Sequence, residues 1–242
     1  MALLEIRGLT KTFGGLTAID DVSFRVEEAE IVGLIGPNGA GKTTVFNCVS
    51  GFYEPTRGRL HFAGHEITGW APHRVCRLDM ARTFQIVRTF SDLSVLENVM
   101  VGAFLRTGNR AQAERAARHV LELMGLAAKA EMRGGSLTIA EKKRLEMARA
   151  LATKPRLLML DEVMAGLNPA ERQAAVELVR QVRAEGISIL MVEHVMEVIM
   201  PISDRIVVLN YGRKIAEGRP ETIARDDQVI AAYLGEKYRG RH

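Results

Sequence analysis

The sequence predicts an α/β fold with an antiparallel β subdomain and a helical subdomain. Three observations carry this. Leu157–Leu160, Ile187–Val192 and Ile206–Leu209 are continuous apolar runs, as expected for central parallel strands covered on both faces. Helical stripes alternate with them. Ala175, Leu178, Val179 and Val182 fall at i, i+3, i+4 and i+7, with Asn168 placed to cap that helix, Pro169 suited to its first position and Gly186 to end it. Finally, the short β-type runs Leu3–Leu9, Val22–Val26, Ile31–Ile35 and Arg59–Ala63, with turn residues Gly14-Gly15 and Glu27–Glu30, suggest a small antiparallel layer beside the main sheet.

The remaining elements follow the same logic. Ala113, Ala116, Ala117, Val120, Leu121 and Met124 make a second helical stripe that stops before Gly125. The stretch from Thr83 to Ala152 holds several helix candidates and no convincing buried strand, so it reads as a helical insertion into an α/β core. The expected division is residues 1–84 and 153–242 for the core with its β layer, and 85–152 for the insertion, within one domain spanning 1–242. From Arg219 onward the chain reads as one or two short amphipathic helices. There is neither an internal repeat nor a low-complexity linker.

Composition narrows the function classes. A chain of 242 residues buries roughly 70% of its unfolded surface. With 47% hydrophobic and 26% charged residues, wholesale disorder is not expected. Two cysteines, Cys48 and Cys76, make neither a disulfide scaffold nor a Cys-rich zinc site and read as reduced thiols of a cytosolic protein. No run of about 18 apolar residues is present, so no membrane span is expected. The opening stretch, with Glu5 and Arg7 among apolar residues, lacks the layout of a signal peptide. The net charge of +4 permits an anionic ligand or membrane surface, and nucleic acid is not expected as a partner.

The strongest motif is Gly36-Pro37-Asn38-Gly39-Ala40-Gly41-Lys42-Thr43-Thr44, which satisfies G-x-x-x-x-G-K-[ST]. It follows the apolar run Ile31–Ile35 and precedes a helix expected over Lys42–Val49, the strand–loop–helix context of a phosphate-loop NTPase core. Glycines open backbone angles closed to other residues and let the main chain approach a ligand. The loop N–H groups and the helix N-terminus then face phosphates. Lys42 supplies a point charge to the β- and γ-phosphates, and Thr43 offers a hydroxyl to Mg²⁺. Downstream, Leu157-Leu158-Met159-Leu160-Asp161-Glu162 is a buried strand ending in two carboxylates. Asp161 is a candidate Mg²⁺ ligand, directly or through water, and Glu162 a candidate general base that polarises the attacking water.

With these motifs in order, the chain resembles the nucleotide-binding subunit of ATP-binding cassette (ABC) transporters over essentially its whole length. The resemblance implies a single ABC nucleotide-binding domain and assigns further residues. Phe13, in Thr12-Phe13-Gly14-Gly15, sits where the family places an aromatic that stacks on adenine; Gln85, in Arg82-Thr83-Phe84-Gln85, matches the glutamine that touches Mg²⁺ and the water and relays to the membrane subunits. Ala165-Gly166-Leu167-Asn168 matches the loop that crosses to the partner subunit, and His194 the histidine that contacts the γ-phosphate. The family mechanism sandwiches two ATP molecules between two such subunits, each site using the phosphate loop of one and a signature segment of the other. Closure drives the membrane subunits and hydrolysis resets them. Ala81–Gln85, Leu93–Val99, Ala165–Pro169 and the tail Ala232-Tyr233-Leu234-Gly235 together resemble ATP-binding subunits of branched-chain amino acid importers.

The signature segment departs from the family's L-S-G-G-Q, reading Leu137-Thr138-Ile139-Ala140-Glu141 before a well-matched Lys142–Leu151. Thr138 keeps a hydroxyl for a γ-phosphate across the dimer. Ala140 replaces a glycine: its N–H survives, while its methyl is expected to crowd a phosphate or forbid a positive φ. Glu141 brings a negative charge near a phosphate site, offset by Lys142, Lys143 and Arg144 unless these form a solvated helix face. Val163 stands where the family usually has proline, and Val195 where it commonly has aspartate.

The resemblance therefore implies an ATPase subunit that powers a membrane importer for branched-chain amino acids, with ATP and Mg²⁺ as its cofactors. The resemblance implies as partners a second ATP-binding subunit (a homodimer or a paralogue heterodimer), two transmembrane permease subunits and an extracytoplasmic solute-binding protein. It implies a cytoplasmic location, peripheral on the inner face of the membrane. The apolar residues Ile86, Val87, Phe90, Leu93, Val95 and Leu96 either line a groove for a permease helix or pack the insertion. The alternatives are a lipopolysaccharide-type or other ABC transport ATPase, or a weakly hydrolysing partner in a heterodimer.

Overall fold

The computed structural model describes residues 2–84 and 89–239. In chain order the elements are β1 (Ala2–Phe13), β2 (Leu16–Glu27), β3 (Ile31–Ile35), α1 (Lys42–Val49), β4 (Arg57–Phe62), β5 (His65–Glu66), α2 (Pro72–Arg77) and β6 (Met80–Arg82). There follow α3 (Val95–Ala103), α4 (Arg110–Leu123), α5 (Ile139–Leu151), β7 (Leu157–Asp161), α6 (Pro169–Ala184), β8 (Ser188–Val192), α7 (Met196–Ile202), β9 (Arg205–Asn210), β10 (Arg213–Gly218), α8 (Pro220–Ile223) and α9 (Asp227–Arg239). They form two compact units, residues 1–75 with 188–242, and residues 76–187.

The first unit contains two layers of strands. One is antiparallel in the order β2-β1-β4-β5. Leu4 and Ile6 on β1, and Val22, Phe24 and Val26 on β2, are buried at alternate positions, as the two-residue period of a half-covered sheet requires, and a register shift between Ile6 and Leu9 resets the period on β1. The other layer runs β10-β9-β3-β8, with β3 parallel to β8 and β9, and β10 antiparallel at the edge. The run Ile31–Ile35 therefore belongs to the parallel sheet rather than to the antiparallel layer. All five of its residues are buried, because a strand with neighbours on both edges and covered faces leaves no side chain for solvent. The two layers are tied where the Asp20 N–H donates to the Gly212 carbonyl (2.8 Å) and Arg213 Nε to the Asp20 carboxylate (2.9 Å).

In the second unit β6 pairs in parallel with β7, and α3, α4 and α5 pack together. Ala113, Ala117 and Leu121 are buried on α4 and Met124 at its C-cap, four of the six residues of the expected stripe. α3 approaches α5 so closely that a Cβ on Gly102 would stand 2.2 Å from the Arg149 carbonyl oxygen. On α6 the cap is as read from the sequence: Asn168 Oδ1 accepts the Glu171 N–H (2.9 Å), Glu171 returns the bond to the Asn168 N–H, and Pro169 starts the helix. Gly186, at φ +83°, follows its end.

Val95 and Leu96 are buried in α3. Of the six apolar residues read as lining a docking groove or packing the insertion, these two pack the helical unit, while Phe90 is exposed and Ile86 and Val87 lie outside the described residues. Cys48 and Cys76 are free thiols, and burial pushes the Cys48 thiol up to about 11, which makes it unreactive. Among the described residues no helix is long and apolar enough to cross a membrane.

Candidate functional site

In the first unit the phosphate loop links β3 to α1. At Gly36, with φ +151°, an added Cβ would lie 2.1 Å from the Leu209 carbonyl oxygen, so no side chain fits. Gly41, at φ +103°, occupies the N-cap of α1, and no side chain caps that helix. Its first N–H groups, with the positive end of the helix dipole, are thus turned toward the loop's own concavity, the arrangement that receives anions. Lys42 is buried at 7% exposure and its Nζ donates to the carbonyls of Gly36 (2.7 Å) and Pro37 (2.8 Å). Asn38, Gly39 and Thr43 are exposed, Thr44 is half-buried, and Ala40 is buried. The Ala40 carbonyl accepts the Gly212 N–H (3.1 Å), which anchors the loop to the β9–β10 turn.

Phe13, at the end of β1, is 41% exposed. Its ring meets the Tyr53 ring edge-on (centroids 5.1 Å, planes 77° apart), and Lys11 Nζ lies 4.9 Å from its centroid. An exposed, cation-flanked aromatic of this kind offers a face to a flat ligand. His194 is exposed in the bend after β8, beside the fully buried Glu193. Val195 occupies the N-cap position of α7 and provides no side-chain cap, where an aspartate would accept an N–H.

In the second unit Asp161 ends β7 at 2% exposure. Its carboxylate receives Arg82 Nη2 at 2.8 Å, and its N–H donates to Thr83 Oγ1 at 3.2 Å. The partnership with Arg82 is not legible as a motif; it follows from the β6–β7 register, which sets Arg82 opposite Met159. Glu162 is half-buried with its backbone at φ +51°, the left-handed region that costs energy for a residue bearing a Cβ. After it the chain turns, with the Ala165 N–H donating to the Glu162 carbonyl (3.2 Å), and passes through Gly166 at φ +76° to Asn168. Gln85 lies outside the described residues.

The signature segment forms the start of α5. Thr138 is the N-cap: its Oγ1 accepts the Glu141 N–H (3.3 Å), and Glu141 Oε2 accepts the Thr138 N–H (3.1 Å). Accepting leaves the Thr138 O–H as a donor. Ala140 lies in the first turn and is absent from the positive-φ residues, so its methyl does not strain this backbone as the sequence suggested. The charge of Glu141 is met by Lys129 rather than by the basic run after it. That ion pair, then the Thr138 N–H, hold its carboxyl below the usual carboxylate range. Lys143 is turned to main-chain carbonyls of Glu162 (3.3 Å) and Ala165 (2.5 Å), and Glu146 is buried with its carboxylate accepting the Phe84 N–H at 3.0 Å. In the sequence Lys143 reads only as one of three basic residues that offset Glu141 or form a solvated helix face, and Glu146 carries no signal.

Among the described residues no cluster of three or more His, Cys, Asp or Glu could hold a metal alone. Taken each in its own unit, the hydroxyl of Thr43 and the carboxylate of Asp161 are hard oxygen donors, the chemistry that Mg²⁺ prefers.

A family described as ABC transporter matches residues 19–165, and one described as branched-chain amino acid ATP-binding cassette transporter matches residues 213–239. The chain is 45% identical to the high-affinity branched-chain amino acid transport ATP-binding protein BraF of Pseudomonas aeruginosa, over 97% of this chain and 98% of that protein. It is 43% identical to LivG of Escherichia coli K12, described in the same words, over 97% and 98%. A lipopolysaccharide export system ATP-binding protein, LptB of Acidithiobacillus ferridurans, is more distant at 35%, over 98% of both chains. Among solved structures, the ADP conformation of an ATP-binding cassette from an ABC transporter superposes with a TM-score of 0.89 at 29% identity, covering 97% of this chain and 99% of that one. The chain belongs to the ABC transporter family, as one of its ATP-binding cassettes.

Proposed function

We propose that the chain binds and hydrolyses Mg²⁺·ATP to power a membrane importer, with branched-chain amino acids as its cargo. The observation that carries the nucleotide reading is the phosphate loop: a glycine that admits no Cβ, an uncapped helix start and a buried lysine ammonium held at the loop. The relatives' names and the match of residues 213–239 support the cargo.

In this reading the loop from Gly36 to Thr44 wraps the phosphates. Main-chain N–H groups donate to their oxygens, and Lys42 exchanges its loop carbonyls for the β- and γ-phosphates. Phe13 stacks on adenine. Thr43, Asp161 and Gln85 are the residues that would hold Mg²⁺, which neutralises phosphate charge when bound. Glu162 accepts a proton from the attacking water, and His194 donates to the γ-phosphate. Thr138 O–H and the Ala140 N–H serve the phosphate held by a second subunit, so each closed dimer has two sites. Permease subunits supply the pore, and the chain sits on the inner face of the membrane, with a solute-binding protein outside.

The test has two parts. Lys42→Ala should abolish ATP binding by the purified chain in calorimetry; retained affinity sinks the nucleotide reading. Co-expression with its permease partners in vesicles should give ATP-dependent leucine uptake that Glu162→Gln stops; uptake of a different solute class alone would reassign the cargo.

A further inference from the structure

α5 carries three charged side chains three residues apart, and each meets a different segment of its unit. Lys143 Nζ donates to the Glu162 and Ala165 carbonyls at 3.3 and 2.5 Å. The buried Glu146 accepts the N–H of Phe84, the residue before Gln85, at 3.0 Å. The Arg149 guanidinium lies 5.0 Å from the Phe90 ring centroid. Residues at this spacing share one stripe of a helix. The helix that begins with the signature segment therefore grips, along its flank, the loop after β7 and the main chain leading into Gln85.

The loop after β7 needs such a grip. Glu162 sits at φ +51°, a conformation that persists only where its surroundings over-determine it. Its neighbour Val163 does not fix its own φ as a proline would. The two carbonyls that Lys143 engages are those at the first and last residues of the turn Glu162–Ala165, so one ammonium spans the whole turn. Charge-assisted hydrogen bonds of this kind are about twice as strong as neutral ones. Releasing them frees the turn to relax away from the strained φ and moves the carboxylate.

We propose that Lys143 is a positioning residue for Glu162. This rests on the reading of Glu162 as the group that polarises the attacking water. Lys143 touches no nucleotide in this account, so its loss should separate binding from turnover.

The experiment measures ATPase kinetics and ATP dissociation constants on the purified chain for Lys143→Met, Lys143→Arg and Glu162→Gln. Lys143→Met keeps the aliphatic stem and loses the ammonium. It should lower kcat about tenfold or more, since misplacement of a reacting group by an ångström costs up to about a hundredfold. ATP affinity should stay within about twofold, and Lys143→Arg should restore kcat to within about threefold. Hydrogen exchange of the amides in 163–167 should quicken in Lys143→Met, while those of 36–44 should not change. A Lys143→Met kcat within twofold of the parent overturns the proposal, as does a Lys143→Arg that fails to restore it. If Lys143→Met does not fold, Lys143→Gln takes its place under the same kcat criterion. A Glu162→Gln as active as the parent instead sinks the reading of Glu162 itself. An inactive Glu162→Gln beside a fully active Lys143→Met rejects the positioning role alone.

Discussion

The phosphate loop and the start of α5 are both proposed to meet phosphate, and they are built from different materials. The loop from Gly36 to Thr44 is a main-chain device, fixed by where a Cβ cannot go and by carbonyls that hold Lys42. The α5 region is a side-chain device. Thr138 and Glu141 cap each other, Lys129 neutralises Glu141, Lys143 spans the turn after Glu162 and Glu146 holds the Phe84 N–H. A main-chain site tolerates almost no change at its glycines, because steric exclusion has no substitute. A side-chain site tolerates replacement wherever another group of the right charge and reach is available. That is how the departures from the usual signature leave a regular, doubly capped helix start here.

The largest expected effect comes from two tightly enclosed glycines, one in each unit. Gly36→Ala would drive a Cβ to 2.1 Å from the Leu209 carbonyl oxygen, and Gly102→Ala one to 2.2 Å from the Arg149 carbonyl oxygen. Each should cost roughly 3 kcal/mol or more in denaturant unfolding, the scale of severe overpacking. Only Gly36→Ala should also abolish ATP binding. If Gly102→Ala lost it at unchanged fold, the two regions would not be separable in the way described.

Next in size is Glu146. Burial first, with the negative charge of Asp161 adding, raises its pKa from 4.5 to about 6, against the Phe84 N–H, Arg149 and Lys143, which lower it. The folded state thus binds the proton more tightly than the unfolded chain. The carboxylate's contribution is least costly below the unfolded value and becomes destabilising as pH rises through about 6. Glu146→Gln keeps an acceptor for Phe84 and removes the charge. It should raise stability at pH 7 by ~2 kcal/mol and lose that advantage near pH 4, as thermal melts across that range would show. A variant less stable than the parent at pH 7 would mean that the ionised form is the one the structure favours.

The smallest effect is on the adenine side. Phe13→Ala removes one exposed ring beside Tyr53 and Lys11 and should weaken ATP binding about fivefold, ~1 kcal/mol, with little change in triphosphate affinity. Equal weakening of ATP and inorganic triphosphate would place Phe13 outside the base contact.

What was legible in the sequence divides along the same line. The strand–glycine loop–helix unit was readable because its requirements are local: an apolar run, glycines at fixed offsets and a lysine. The buried strands β7, β8 and β9 were readable from continuous apolar runs. By contrast β5 and β6, of two and three residues, are too short to show a period, and β10, Arg-Lys-Ile-Ala-Glu-Gly, is a polar edge strand. Pairing of Arg82 with Asp161, 79 residues away, depends on strand register and carries no local signal. Lys143 and Glu146 are hidden for a similar reason. A charge on a helix is usually solvated, and only packing shows that one spans a turn and the other is 4% exposed.

Of the two pairings left open, a homodimer or a heterodimer with a paralogue, we propose the homodimer: ATP closes two copies of this chain around their phosphate loops and signature segments. The most direct measurement is the mass of the purified Glu162→Gln chain by light scattering, with and without ATP and Mg²⁺. The account predicts a shift from 26.7 kDa to about twice that value on adding both, reversed when the nucleotide is removed. A chain that binds ATP and stays at 26.7 kDa at every concentration tested would contradict closure between identical copies and give the opposing signature segment to another protein.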